Sequence, residues 1–180
     1  MKYSTALLIS LIFCSHMAAQ GVFSNETNVV LEEVVKDYAN DFRNIKGALL
    51  NQKGNVSQFN STLYFSGALS TSITETRLQG RDLLSWNTTV YKGHDFNEAK
   101  QKFREMFDQL KNSIIKLDHE KPFILSGVYE EPSQGRSSNI VLELLPATKD
   151  SKRPKVKLSL EEVSGVWTVN LSVSDGAMKP

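Results

Sequence analysis

The sequence is poor in the residues that most often cross-link a chain or carry chemistry. Its 180 residues include one cysteine, Cys14, and three histidines. Cys14 lies in an N-terminal segment that we expect to be removed, so the mature chain would have no thiol for a disulfide, a nucleophile or a thiolate metal site. The bulky residues Ile12 and Phe13 before Cys14 also argue against acylation as a lipoprotein.

The chain also lacks a hydrophobic run long enough to cross a bilayer. Its most apolar stretch, residues 6–13 (ALLISLIF), has eight residues, well short of the roughly 20 that a spanning helix needs. That stretch follows Lys2 and precedes small residues, which is the pattern of a secretory signal peptide. We therefore predict a signal at residues 1–19, cleavage near Gln20, and a mature protein that is secreted or periplasmic and not bound to a membrane.

Neither charge sign is in excess once the signal is removed. The full chain has 21 basic and 20 acidic side chains, and residues 1–19 contain Lys2 but no acid, so the mature formal charge is zero. A neutral surface gives no electrostatic reason to expect a nucleic acid or an anionic membrane as partner. The partner we expect is another protein or an extracellular ligand.

What the chain does have is clear hydrophobic periodicity across residues 20–180, the size of a single domain. Apolar side chains at helical spacing predict helices over residues 28–50 and 95–117, the second capped by Asp95. Alternating runs predict strands at residues 58–65, 69–78, 83–91, 122–129, 138–145, 154–163 and 165–175. The sequence thus predicts an α+β fold in which two long helices pack on an antiparallel sheet, in the order α-β-β-β-α-β-β-β-β.

The predicted elements repeat, with a helix and then strands in residues 28–92 and again in residues 94–175. This repetition suggests duplication of an αβββ unit. A helix followed by an antiparallel meander, doubled, resembles the architecture of cystatin-like and beta-lactamase-inhibitor-like exported proteins. The resemblance is one of element order and assigns no functional residue. A second architecture with similar order is the cone-shaped fold of the nuclear-transport-factor-two type, whose curved sheet wraps a pocket.

Residues that could perform catalysis do not form a recognisable set. His94 and His119 flank the second predicted helix, whose ends lie roughly 33 Å apart at 1.5 Å per residue, so they cannot form a catalytic pair. No serine lies in a Gly-x-Ser-x-Gly turn, and the acidic pairs are adjacent in sequence and therefore diverge. We predict no catalytic residue, metal site or cofactor, and favour a protein without enzymatic activity.

Aromatic residues on the predicted strands are the remaining candidates for a binding surface. Because alternate strand residues face opposite ways, Tyr64 and Tyr91 should lie on the face opposite Phe65 and Trp86. If the helices cover the latter face, the tyrosines and the Ser, Thr and Asn residues beside them form an open surface that suits a partner. We predict binding by Tyr64, Tyr91, Trp86 and Tyr129 in an exported, non-catalytic binding protein.

The alternative function belongs to a different class. In it, the chain is a small pocketed protein of the cone-shaped or cystatin-like type that binds a small molecule, or acts as an enzyme or inhibitor, with His94 or His119 as base. A deep apolar cavity with a histidine or carboxylate at its floor would favour this alternative.

Overall fold

The computed structural model describes residues 23–111, 113–147 and 153–175. The predicted signal at residues 1–19 and the C-terminal tail from Gly176 lie outside the described residues. Two helices and nine strands follow in the order α1 (Phe23–Tyr38), β1 (Lys46–Lys53), β2 (Val56–Ser61), β3 (Ser70–Leu78), β4 (Arg81–Gly93), α2 (Phe96–Lys111), β5 (Ile114–Ile115), β6 (Phe123–Ser126), β7 (Ser138–Leu145), β8 (Lys155–Val163) and β9 (Val166–Ser174).

All nine strands form one sheet in the order β1-β2-β3-β4-β9-β8-β7-β6-β5. Every neighbouring pair is antiparallel. The two strands at the centre, β4 and β9, are therefore the last strands of the two halves of the chain. The predicted α+β class and antiparallel sheet are confirmed, and the predicted elements occur in the predicted order, with β1 and β5 as additional strands.

Both helices pack on one face of this sheet. α1 contacts β5 and β9, and α2 contacts β4, β6, β8 and β9. Strand residues at alternate positions meet the helices, so β9 contributes Trp167, Val169, Leu171 and Val173 to the core, and α2 contributes Ala99, Phe103, Phe107 and Leu110. The alternation of β9 and the stripe of α2 thus have the same cause, burial of apolar surface between a helical layer and a sheet.

Neither helix in the described residues combines the length and the apolar character that crossing a bilayer requires.

The first helix ends at Tyr38 and does not continue to residue 50 as the apolar spacing predicts. The carboxylate of Asp37 accepts hydrogen bonds from the backbone N–H groups of Asn44 and Ile45, which ties the chain into a turn. Phe42 enters the core from that turn in a left-handed backbone conformation, with φ of 56°. The apolar residues after Tyr38 that continue the helical spacing in the sequence therefore belong to a turn and to strand β1.

The second helix begins as predicted and ends early, at Lys111. Asp95 caps it, because its carboxylate accepts the backbone N–H groups of residues 97 and 98. Beyond the helix, the N–H of Ile114 donates to the Asn28 side chain at 2.9 Å and that of Lys116 donates to Glu32 at 3.0 Å. These side chains of α1 accept from backbone donors in strand β5 and directly after it, on a segment that pairs with β6 instead of extending the helix.

Candidate functional site

The first predicted binding residue, Trp86, lies in the core. Its side chain is fully buried and meets the Phe65 ring edge-on, with the ring centroids 5.5 Å apart. The indole N–H donates to the Ser61 hydroxyl at 3.1 Å and also faces the Leu63 carbonyl at 3.3 Å. In this fold Trp86 is inaccessible to a partner, and its observed contacts are those of a packing residue.

Tyr91 lies on the same face as Trp86, which corrects the alternation drawn from the sequence. The register between β4 and β9 shifts between Thr89 and Tyr91, so that Tyr91 pairs with the core residue Val169. A bulge of this kind adds one residue to a strand and reverses the face of every residue beyond it. The Tyr91 hydroxyl donates to Glu98 of α2 at 3.0 Å, and burial followed by this carboxylate raises the pKa of Tyr91.

The other two predicted binding residues, Tyr129 and Tyr64, lie apart from each other, and neither is in a strand. Tyr129 packs against α2, with its ring centroid 5.1 Å from that of Phe107 and 6.2 Å from that of Phe103. Burial, and then the Glu131 carboxylate, raises the pKa of Tyr129. Tyr64 is 63% exposed but lies in the loop after β2, outside any strand. The structure therefore does not bring the four aromatic residues together on one surface.

The face of the sheet away from the helices, called the open face below, is lined by small polar side chains. At its centre is a concave cleft of about 450 Å³, called the trough, which spans β2, β3, β4, β9 and β8. The side chains that line the trough are Gln58, Ser70, Ser72, Thr74, Ser85, Asn87, Thr89, Lys157, Ser159, Glu161, Asn170 and Ser172. Ser85 and Ser159 line the trough and are buried there, although no described helix covers this face.

Hydrogen bonds within and between strands order the side chains of the trough. Asn87 of β4 donates from its amide nitrogen to the Thr74 hydroxyl of β3 at 3.3 Å and to the Ser85 hydroxyl of its own strand at 2.8 Å. The Thr89 hydroxyl donates to the side-chain amide oxygen of Asn170 at 2.8 Å, which links β4 to β9. Hydroxyl and amide groups can each donate and accept. The trough is thus a prearranged set of neutral hydrogen-bonding groups.

Only two charged side chains, Lys157 and Glu161, line the trough. Both project from β8 and are half-buried, and among the described residues neither makes an ion pair. The exposed polar face of an antiparallel strand usually carries long charged residues. Small polar residues at alternate positions in three neighbouring strands were therefore a signal in the sequence for this unusual face. Sequence reasoning noted these Ser, Thr and Asn residues only as neighbours of the tyrosines.

Neither histidine lies in the trough or in two further clefts of the described residues. His94 is exposed, with its Nδ1 atom 2.9 Å from the Gly165 carbonyl oxygen, and His119 is exposed in a turn. A cleft of about 550 Å³ beside Tyr38 and Arg81 and another of about 270 Å³ between the helices are lined by no histidine. Within residues 23–111, 113–147 and 153–175, no three acidic or imidazole side chains are grouped to hold a metal ion.

Comparison with known proteins adds no relative, because no family model, curated protein or solved structure matches the chain. The geometry of the open face is therefore the basis for a functional proposal.

Proposed function

We propose that this chain is an exported, non-catalytic binding protein that holds its partner in the trough of the open face. The observation that carries the proposal is the trough itself, a cleft of about 450 Å³ formed by ordered, half-buried polar side chains on a face that the described helices leave uncovered. Concave surfaces with convergent polar groups are the usual location of ligand sites. The partner is a protein or an extracellular ligand.

The chemistry of the trough supports binding by neutral hydrogen bonds. Ser85 and Ser159 have lost most of their contact with bulk water, and polar groups removed from water are costly to leave without partners. A ligand that supplies donors and acceptors to such groups replaces ordered water at little cost. The function thus depends on neutral polar recognition, and the formal charge of zero after signal removal agrees with it.

The export part of the proposal depends on residues 1–19, which lie outside the described residues. It is supported by the apolar run that follows Lys2 and by the small residues before Gln20. We expect the mature N-terminus near Gln20 and a secreted or periplasmic location. N-terminal sequencing of the protein recovered outside the cytoplasm checks this expectation.

The duplication of an αβββ unit is also part of the proposal. From the β4–β9 pair outward, the sheet reads β4-β3-β2-β1 on one side and β9-β8-β7-β6 on the other, with β5 as an extra edge strand, and each set follows a helix in the chain. A two-fold relation between the halves would produce this order. Superposition of residues 28–92 on 94–175 should bring helix onto helix and strand onto strand, and a poor fit of the helices would contradict a duplication.

A site-specific photocrosslinker tests the binding surface. Benzoylphenylalanine in place of Ser70, an exposed residue at the rim of the trough, should form an adduct in the native compartment. The same group at Gln101, on the exposed side of α2, should form none. Adding Ser172→Arg, which fills the trough, should abolish the adduct at position 70 while leaving the melting temperature within a few degrees.

Two results would contradict the proposal. Adducts of equal yield from Ser70 and Gln101 would mean that crosslinking reports random collisions. An adduct at Ser70 that persists in the Ser172→Arg variant would place the partner outside the trough.

A further inference from the structure

A continuous row of side chains crosses the open face from one strand to the next. The strand registers pair Asn60 with Ser72, Ser72 with Asn87, and Asn87 with Ser172. We call these four residues the polar row. The next strand places Lys157 opposite Ser172, and so extends the row by a positive charge.

Beyond Lys157 the open face carries exposed apolar side chains around one ion pair, between Glu143 of β7 and Lys155 of β8. Lys157 pairs with Val141 of β7, and Leu145 lies further along the same face of β7. Leu145 pairs with Ile124 of β6, which pairs with Ile114 of β5. These four apolar residues, called the shoulder, are between 37% and 53% exposed, and a run of neighbouring exposed aliphatic side chains on one sheet face is typical of a contact surface.

One further inference rests on the proposed function: we infer that the partner is an extended polypeptide segment. This segment crosses the sheet along the polar row and ends on the shoulder. Its first part is polar and uncharged, an acidic side chain meets Lys157, and its last part is apolar. This order follows the polar row, the ammonium of Lys157 and the aliphatic side chains of the shoulder. The partner is thus recognised by a pattern of polar, acidic and then apolar positions.

The dimensions of the open face set the length of this segment. From β2 to β7 there are five strand spacings of about 4.8 Å, or about 24 Å, which an extended chain covers in about seven residues. From Val141 to Leu145, four residues along β7, the distance is about 13 Å, which takes about four more residues. A segment of about 11 residues therefore covers the polar row and reaches Leu145, and one or two more residues reach Ile124 on the next strand.

The residues of the trough favour a polypeptide over a sugar. Peptide groups offer the alternating donors and acceptors that hydroxyl and amide side chains can match. Stacking on an aromatic ring is the usual way to hold the apolar face of a sugar, yet no aromatic residue lines the trough. The half-buried ammonium of Lys157 has no ion pair among the described residues, so an acidic residue of the partner would supply its missing counter-charge.

The test uses two probes on the mature protein, a phage-displayed library of random 12-residue peptides and a glycan array. Selected peptides should show uncharged polar positions, then an acid, then apolar positions. Synthetic peptides of that pattern should bind about tenfold more weakly to the variants Ser172→Arg and Ile124→Lys, as central contacts of an interface do. Val29→Lys, a change of equal character at an exposed position on α1, should leave the affinity unchanged.

Charge exchange at Lys157 gives a second readout that a loss of folding would not mimic. Lys157→Glu should weaken the acidic peptide about tenfold, and replacing the peptide's acid by lysine should restore binding to that variant. Peptides whose affinity ignores Ser172→Arg and Ile124→Lys would overturn the inference.

The glycan array separates failure of this inference from failure of the proposed function. Glycans that bind, and lose binding in the Ser172→Arg variant, would overturn the polypeptide partner but preserve the trough as a binding site. If neither probe binds in a way that Ser172→Arg abolishes, both proposals are wrong.

Discussion

The two faces of the nine-stranded sheet carry different residues on the same strands. On β4, Trp86 faces the helices and Asn87 faces the trough, and on β9, Leu171 and Ser172 divide in the same way. The helix-covered face is filled by large apolar side chains from every part of the chain. The open face holds small polar side chains, although some of these are as well shielded from water as the core.

This difference shows that burial has two causes in one sheet. On the covered face, side chains are buried by a second layer, and the apolar surface removed from water stabilises the fold. On the open face, side chains such as Ser85 and Ser159 are buried within the lining of the trough, with no described helix over them. Substitutions on the covered face should therefore change the free energy of unfolding most. Substitutions on the open face should mainly change the affinity for the partner.

Replacing the adjacent residues Trp86 and Asn87 gives the largest contrast. Trp86→Ala should lower the free energy of unfolding by about 3–5 kcal/mol, because it removes a fully buried ring from a packed core. Asn87→Ala removes hydrogen bonds to Thr74 and to the buried Ser85 and should cost about 0.5–1.5 kcal/mol. Urea denaturation of the two variants measures both values, and equal losses would show that the open face is also part of the folding core.

The same contrast can be tested at the edge of the sheet, where a smaller effect is expected. Ile115 is fully buried beneath the helices, whereas its neighbour Ile114 is 48% exposed on the shoulder. Ile115→Ala should cost about 2–4 kcal/mol, and Ile114→Ala less than about 1 kcal/mol because little apolar surface changes environment. Urea midpoints compare the pair, and a costly Ile114→Ala would place the shoulder inside a packed layer.

Local patterns predicted the elements where pattern and tertiary contacts agree. Asp95 caps α2, and the alternating residues of β8 and β9 lie on the faces that the sequence indicates. The prediction was wrong after Tyr38, where the apolar spacing suggested a helix to residue 50 but the chain turns and enters β1. The buried carboxylate of Asp37, which folds the chain back on itself, has no signature in hydrophobic spacing.

The candidate site was less predictable than the fold, because a single residue of register decides which face a side chain occupies. The bulge before Tyr91 moves that tyrosine to the helices, and no turn residue or glycine marks it in the sequence. The open face also could not be predicted from either half of the sequence alone, because strands of both halves form it. Asn87 and Ser172 are neighbours across the β4–β9 pair, although they are far apart in the chain.

Titration of Glu75 gives the smallest predicted effect. It shows whether an ion pair on the helix-covered face contributes to the stability of the protein. Glu75 lies 3.1 Å from the Lys46 ammonium, and both side chains are largely shielded from solvent. The hydrogen bond from Lys46 holds the pKa of Glu75 below its ordinary value despite burial, and Arg77 adds to this effect. Because the pKa is lower in the folded state, the pair stabilises the protein above the unfolded pKa of about 4.3.

That stabilisation is lost as the pH falls through the folded pKa, so a Glu75→Gln variant should differ from the parent at pH 6 and converge with it at pH values below the folded pKa. The expected difference at pH 6 is about 1 kcal/mol or less, as for other partly exposed ion pairs. Glu143→Gln is the matched control, because Glu143 lies 2.9 Å from Lys155 but both side chains are exposed, and solvent screening should make its effect smaller. Melting temperatures of the three proteins, measured across this pH range, test the prediction. An equal response from both variants would mean that the shielding around Glu75 is too slight to strengthen its ion pair with Lys46. The stability of the helix-covered face would then come from apolar packing alone.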